Sequence, residues 1–201
     1  LQSLKEPKKK YLWEDVYVNI NKLSEEISKH IKKNDRCLLI SENRPEWIIS
    51  DLAIMLSEGT TVPAYTTYTE RDYEYIIDDC TPAIVIVSDK TQYEKVKNII
   101  TKKNFIKKVI IFEKINNLDD KFNLNIANIF NRDNYNRKNF SNLKITRKDI
   151  ACIIYTSGTQ GNPKGVMLSH GGILNNCEGA YNLLKEFIPN NPKFLTWLPL
   201  S

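Results

Sequence analysis

No stretch of this sequence approaches the about 18 consecutive apolar residues that a membrane-spanning helix needs. No C-x-x-C pair occurs either. The four cysteines, Cys37, Cys80, Cys152 and Cys177, are widely spaced, and Cys37 and Cys152 fall inside apolar runs. Buried, reduced thiols in a cytoplasmic setting fit that spacing better than a disulfide framework. There is no internal repeat and no base-reading or zinc-finger pattern. The formal net charge of +5 is therefore no argument for nucleic acid, because basic and acidic residues are mixed everywhere except Lys8-Lys9-Lys10. That run marks a solvated end, and it is also compatible with peripheral contact to an anionic membrane surface. No signal-peptide pattern is visible, an absence without weight in a chain that begins at Leu1.

Glycine is scarce as well, with seven in the chain, and three of the seven fall between Tyr155 and Gly165. That stretch reads Tyr155-Thr-Ser-Gly-Thr-Gln-Gly-Asn-Pro-Lys-Gly165. It follows the β-branched run Ile150-Ala-Cys-Ile-Ile154 and precedes an apolar turn, Val166-Met-Leu168. A strand running into a Gly/Ser/Thr loop is a device for holding phosphate. Glycine lets backbone N–H groups approach an anion, and the Thr156, Ser157 and Thr159 hydroxyls add donors. Lys164 supplies a mobile positive charge. A plain surface loop has the same composition, but here a buried-looking strand leads directly in and Pro163 limits flexibility.

Two better-known phosphate loops do not fit. Counted from Gly158, a G-x-x-x-x-G-K-[ST] pattern finds Pro163 where the second glycine belongs and Gly165 where the hydroxyl belongs. A G-x-G-x-x-G fingerprint fails because Gly158 and Gly161 have no third glycine in register. What the stretch resembles is the signature loop of the adenylate-forming (AMP-binding) superfamily, Tyr/Phe-Thr-Ser-Gly-Ser/Thr-Thr-Gly-x-Pro-Lys-Gly-Val. It departs at one fixed position, Gln160. Ser41-Glu-Asn-Arg-Pro-Glu-Trp47, Gly59-Thr-Thr-Val-Pro-Ala-Tyr-Thr-Thr67 and Trp197-Leu-Pro-Leu-Ser201 are similar to other segments of acyl-CoA synthetases. Met167-Leu-Ser-His170 and the Trp-Leu-Pro-Leu-Ser ending are similar to the long-chain-fatty-acid–CoA ligase branch. The resemblance spans most of the chain and is thinnest between Lys114 and Lys148.

The resemblance implies ATP-dependent activation of a long-chain fatty acid to an acyl-adenylate, then thioester formation with coenzyme A. Lys164 would meet the β- and γ-phosphates of ATP and offset charge as pyrophosphate leaves. Thr156, Ser157 and Thr159 would bind phosphate oxygens. Gly158 and Gly161 would allow the tight path, with Asn162, Pro163 and Gly165 completing the loop. Gln160 still offers a donor, at a higher entropic cost of fixing. The family's magnesium ligands, ribose aspartate, hinge and C-terminal lysine are expected downstream of Ser201. The chain is thus expected to be an internal piece, residues 1–201 of a partial N-terminal adenylation domain, inactive alone. Two alternatives stay open: an adenylating enzyme for aryl or amino acids, and a non-catalytic nucleotide-binding module. The sequence carries nothing on oligomeric state.

Segment patterns predict an α/β fold, with βαβ units forming a mostly parallel sheet flanked by helices. Val16, Ile20, Leu23, Ile27 and Ile31 mark an amphipathic helix over 13–31. Pro45 opens a helix through Leu56, which Gly59 follows, and Thr69 caps one over 70–80. A further helix is expected over 91–102, and one over 171–188. Strands are expected at 37–40, 60–64, 83–87, 109–112 and 194–198. Residues 116–148, rich in Asn, Lys and Asp, read as a variable surface excursion with one short helix around 124–130. His170 is expected to cap or pack the next helix, and His30 to be solvated among lysines. Tyr65, Tyr68, Tyr73 and Tyr75 suit packing better than an acyl tunnel.

Overall fold

The computed structural model describes residues 1, 10–116, 118–119, 122–138, 142–156 and 163–189. In chain order the elements are α1 (Trp13–Ser28), β1 (Arg36–Ile40), α2 (Pro45–Leu56), β2 (Thr60–Ala64), α3 (Glu70–Cys80), β3 (Ile84–Val87) and α4 (Lys90–Ile100). Then follow β4 (Lys108–Ile111), β5 (Asn123–Asn125), α5 (Ile126–Phe130), β6 (Ile150–Thr156), β7 (Lys164–Ser169) and α6 (His170–Leu184), which ends in a 3₁₀ turn, Lys185–Phe187. The strands form one sheet in the order β5-β4-β3-β1-β2-β6-β7. Every pairing is parallel except β6 with β7.

β1, β3 and β4 are short, largely apolar runs because both faces of the sheet are covered there. Alternate residues choose the face. Leu38, Ile40, Val62, Val85, Val87, Val109 and Ile111 pack against Tyr73, Ile76 and Ile77 of α3 and Val96 and Ile100 of α4. Cys37, Leu39, Ile84, Ile86 and Ile110 pack against Leu23 and Ile27 of α1, Trp47, Ile49 and Ile54 of α2, and Ile126 and Ile129 of α5. Each fully buried Leu or Ile contributes about 1.5–3 kcal/mol of transfer free energy. These two cores therefore carry the sheet's stability.

Helix ends follow local chemistry. The Thr69 hydroxyl accepts from the Asp72 amide while Asp72 returns a bond to Thr69, a capping box. Asp89 caps α4 by accepting from the Gln92 amide, which starts that helix one residue earlier than its periodicity suggests. At the end of α2 the left-handed residue is Glu58 (φ 61°), not Gly59. Glu58 N–H donates to Met55 and Gly59 N–H to Ile54, closing a Schellman motif. Gly59 is needed for space instead. A Cβ there would lie 2.8 Å from Ile31 Cδ1 and 3.3 Å from the Asp35 carbonyl oxygen.

Three sequence expectations change. Val166-Met-Leu168 is no turn but the middle of β7, an edge strand whose Val166, Met167 and Leu168 are exposed. Within 116–148, Asn123–Asn125 adds a strand to the sheet edge before the short helix. The following residues bond back to α1: Arg132 to Glu26, the Asn136 amide to Glu25, and the Lys138 amide to Asn21. His30 is half-buried rather than free, 3.3 Å from Glu26. Burial pushes the Glu26 carboxyl up, but hydrogen bonds from Lys29, Arg132 and His30 outweigh it and bring it to about 2. The strand expected at 194–198, Trp197 included, lies outside the described residues.

Candidate active site

β6 runs parallel to β2, so its last residue, Thr156, reaches the carboxyl edge of the sheet, where open α/β sheets bind ligands. β7 returns antiparallel and pairs Thr156 with Lys164. Directly opposite residues of an antiparallel pair project from the same face, about 4.5–5.5 Å apart at Cβ. One hydroxyl and one exposed ammonium of the signature stretch are thus brought together by backbone register alone. Pro163 is half-buried, and Lys164 and Gly165 are exposed. Ser157, Gly158, Thr159, Gln160, Gly161 and Asn162, all expected to hold phosphate, lie outside the described residues.

One position back along the ladder, Tyr155 faces Gly165. A Cβ on Gly165 would stand 3.3 Å from Tyr155 Cζ and 2.9 Å from Ile153 Cγ2, so the missing side chain makes room for the tyrosine ring. Tyr155 is 4% exposed, and its hydroxyl donates to Asp79 Oδ2 at 2.5 Å. Burial, then the Asp79 carboxylate, push its phenol well above the ordinary value. Tyr75 meets the same ring edge-on, with centroids 6.5 Å apart. Tyr65, Tyr68 and Tyr73 form a separate edge-to-face chain, with the Tyr73 hydroxyl donating to the Tyr65 carbonyl. They pack as the sequence suggested.

A second cluster occupies another part of the carboxyl edge. The order β2-β1-β3-β4-β5 places the topological switch point, where such sheets usually bind ligands, between β1 and β3. Ser88 follows β3, and its amide donates to Ile40 at the end of β1. The Glu113 amide donates to Ser88 in turn. Arg44, just before α2, lies across these ends. Its Nε meets Glu46 at 3.0 Å, and its Nη1 meets Glu113 at 3.2 Å and Glu42 at 3.7 Å. Its guanidinium also stands 5.5 Å from the Phe112 ring centroid. Tyr11 donates to the other oxygen of Glu46 at 2.8 Å. Burial works against the Arg44 charge, but Glu46, Glu113 and Glu42 outweigh it and hold the guanidinium even more firmly protonated.

His170, Cys80 and Cys152 have structural surroundings. The Ser169 hydroxyl caps α6 by accepting from Gly172 at 3.1 Å, while the His170 amide donates to the Asp149 carbonyl at 3.0 Å. Burial lowers the His170 pKa against the opposing pull of Asp149. Burial raises the thiols of Cys80 and Cys152, to about 12 and about 11, so neither is an activated nucleophile. Among the described residues no group of three His, Cys, Asp or Glu side chains could hold a metal ion. Among them, too, no helix is long and apolar enough to cross a membrane.

Sequence reasoning missed Asp79 and the Arg44–Glu113 pair, because each joins residues far apart in the chain. Asp79 left one local sign: it is a carboxylate in the last turn of α3, where the helix dipole disfavours negative charge and the helix has no basic residue of its own, the Arg36 guanidinium from β1 bonding the Cys80 and Thr81 carbonyls instead.

The family model for AMP-binding enzymes matches residues 3–201. Long chain acyl-CoA synthetase 4 of Arabidopsis thaliana is 32% identical over 204 aligned residues, covering 96% of this chain and 31% of that protein. The chain thus spans about a third of that relative's length. A solved structure of a putative long-chain-fatty-acid CoA ligase from Rhodopseudomonas palustris superposes with a TM-score of 0.77 at 18% identity, covering 94% of this chain and 45% of that one. An anthranilate CoA ligase bound to anthranoyl-AMP superposes with a TM-score of 0.72 at 19% identity, covering 82% of this chain and 30% of that one.

Proposed function

The chain belongs to the AMP-binding enzyme family, and on that premise we propose that the protein carrying it activates a long-chain fatty acid with ATP and passes the acyl group to coenzyme A. The observation that carries this reading is the pairing of Thr156 with Lys164 at the carboxyl edge of the sheet, at the two ends of the signature stretch.

In the first step a carboxylate oxygen attacks the α-phosphorus. The bond from that phosphorus to the bridging oxygen breaks, and pyrophosphate leaves with the electron pair. In the second step the thiol sulfur attacks the acyl carbon, its proton is lost, and AMP departs. Lys164 serves the first step. Its ammonium, held on a strand rather than on a free loop, offsets charge gathering on the leaving pyrophosphate. Thr156 offers its hydroxyl to a phosphate oxygen on the same face. Ser157, Gly158, Thr159, Gln160, Gly161, Asn162, Pro163 and Gly165 are proposed to complete the phosphate cradle. The reading for long-chain acids rests on the sequence relatives. The fold is shared with an enzyme named for an aryl acid, so the substrate must be tested directly.

The test is ATP–pyrophosphate exchange and acyl-CoA formation by the full-length protein over a panel of fatty, aryl and amino acids. Palmitate-class acids should turn over, and Lys164→Ala should cut the exchange rate by about 100-fold or more. Turnover confined to aryl or amino acids would move the substrate assignment. No exchange with any carboxylate would leave a nucleotide-binding module.

A further inference from the structure

The end of β6 is not held where its chemistry needs it by the sheet alone. β6 and β2 share one registered pair, Thr61 with Cys152, three positions before Tyr155. β7 is an edge strand that pairs with β6 alone. In that parallel register Ala64, the last residue of β2, stands level with Tyr155, so Thr156 and its partner Lys164 lie one residue beyond the end of β2, where the ladder is β6 and β7 alone and a two-stranded ribbon twists more freely. What reaches back from that tip to the rigid body is the Tyr155 side chain. Its ring lies over Gly165, the neighbour of Lys164, and its hydroxyl ends on Asp79 of α3. Asp79 stands in the last turn of α3, which has no basic residue of its own to pair with it.

From this geometry we infer that Asp79 is a positioning residue for ATP, acting through the Tyr155 hydroxyl to fix the twist of the β6–β7 tip and hence the aim of Lys164 and Thr156. The inference rests on the proposed phosphate role of that tip. It adds a side chain outside the signature stretch, on a different element and 76 residues away in sequence. Asp79 touches no substrate. It determines how well the tip is aligned before ATP arrives, and preorganisation of this kind acts on binding as well as on rate.

The experiment uses the full-length protein and five variants: Tyr155→Phe, Asp79→Ala, their double variant, Asp79→Asn and Ile77→Val. ATP affinity is measured by calorimetry without carboxylate, and KM for ATP, fatty acid and coenzyme A by exchange and thioester assays. Tyr155→Phe keeps the ring and loses the hydrogen bond. It should weaken ATP binding by about 5- to 20-fold, leaving KM for fatty acid and coenzyme A unmoved. Asp79→Ala should match it, and the double variant should be no worse than either single one. Asp79→Asn keeps an acceptor oxygen for the hydroxyl and should restore most of the affinity. Ile77→Val, a core change on the same helix, should lower the melting temperature without touching ATP affinity. Equal ATP affinity in wild type and Tyr155→Phe would overturn the inference. So would a loss spread evenly over all three substrates, or a loss matched by Ile77→Val. Wild type that binds ATP but exchanges with no carboxylate would sink the ligase reading and leave this inference to its own binding data. Wild type that binds no ATP would overturn both.

Discussion

Two places along the carboxyl edge of this sheet could bind a ligand, and they are built in opposite ways. The switch point between β1 and β3 is where the topology of an open α/β sheet opens a crevice. Here Arg44, with 10% of its side chain exposed, and Glu46, with 3%, fill that place with Glu113 and Glu42. The other place, the β6–β7 tip, lies two strands from β1, ends in an exposed edge strand, and presents an ammonium and a hydroxyl. The topological opening is thus occupied by the protein's own ion pairs, while the chemistry of the signature stretch sits on an added hairpin. Glu46 lies in the first turn of α2, so the helix N-terminus that would attract a phosphate already faces a carboxylate. Backbone topology says where a crevice can form. Side-chain occupancy decides whether it is available.

The strongest test of that contrast removes the plug. Arg44→Met keeps length and loses charge, leaving Glu46 buried with its main cationic partner gone. Breaking one side of a buried pair costs about 3–5 kcal/mol. Urea unfolding should show a loss of that size, while the folded fraction keeps its ATP affinity within about twofold. A variant of ordinary stability with greatly weakened ATP binding would reverse the comparison and make the switch point part of the nucleotide site.

How far the sequence alone led also divides between these two regions. The strand patterns of β1 to β4 and the helix starts marked by Pro45 and Thr69 are local signals, and the elements they predict are present within a residue or two. The signature stretch is local too, so Thr156 and Lys164 could be named before any fold was known. What escaped is held by tertiary contact. β5 is three residues long with asparagine at both ends, poor strand formers, and it exists because β4 offers it an open edge. β7 read as a turn because its apolar run is short, yet the register with β6 makes it a strand. Arg44 meets Glu113 across 69 residues of sequence, and no pattern in either neighbourhood announces it. Gly59 marks the boundary of α2 through the space it leaves, while the cap's left-handed conformation is borne by Glu58, which no local pattern announces.

A smaller effect is expected from filling the space beneath the Tyr155 ring. Gly165→Ala places a methyl group 2.9 Å from Ile153 Cγ2, so one of the two must shift. Overpacking of this kind costs about 1–3 kcal/mol, and an edge strand open to solvent should put the value near the lower end. The variant should melt a few degrees lower and bind ATP more weakly, because the added methyl displaces the ring that connects the tip to α3. A fall in melting temperature with ATP affinity intact would separate the stability of the hairpin from its alignment.

The smallest expected effect is also the sharpest on the comparison, because its sign differs. Ser88 is fully buried at the end of β3, and its hydroxyl has no hydrogen-bond partner among the described residues. A buried donor left unpaired costs about 1–3 kcal/mol. If the switch point is only packed interior, Ser88→Ala removes that penalty and loses nothing. Stability should stay level or rise by up to about 1 kcal/mol, with ATP affinity unchanged. If the hydroxyl is instead kept for a ligand that enters between β1 and β3, the same substitution should weaken ATP or acyl-substrate binding while leaving stability level or higher. Calorimetric titration of Ser88→Ala with ATP, set beside its urea unfolding curve, separates the two cases. A gain in stability with full affinity means that the protein has given up the topological crevice and placed its nucleotide chemistry on the hairpin.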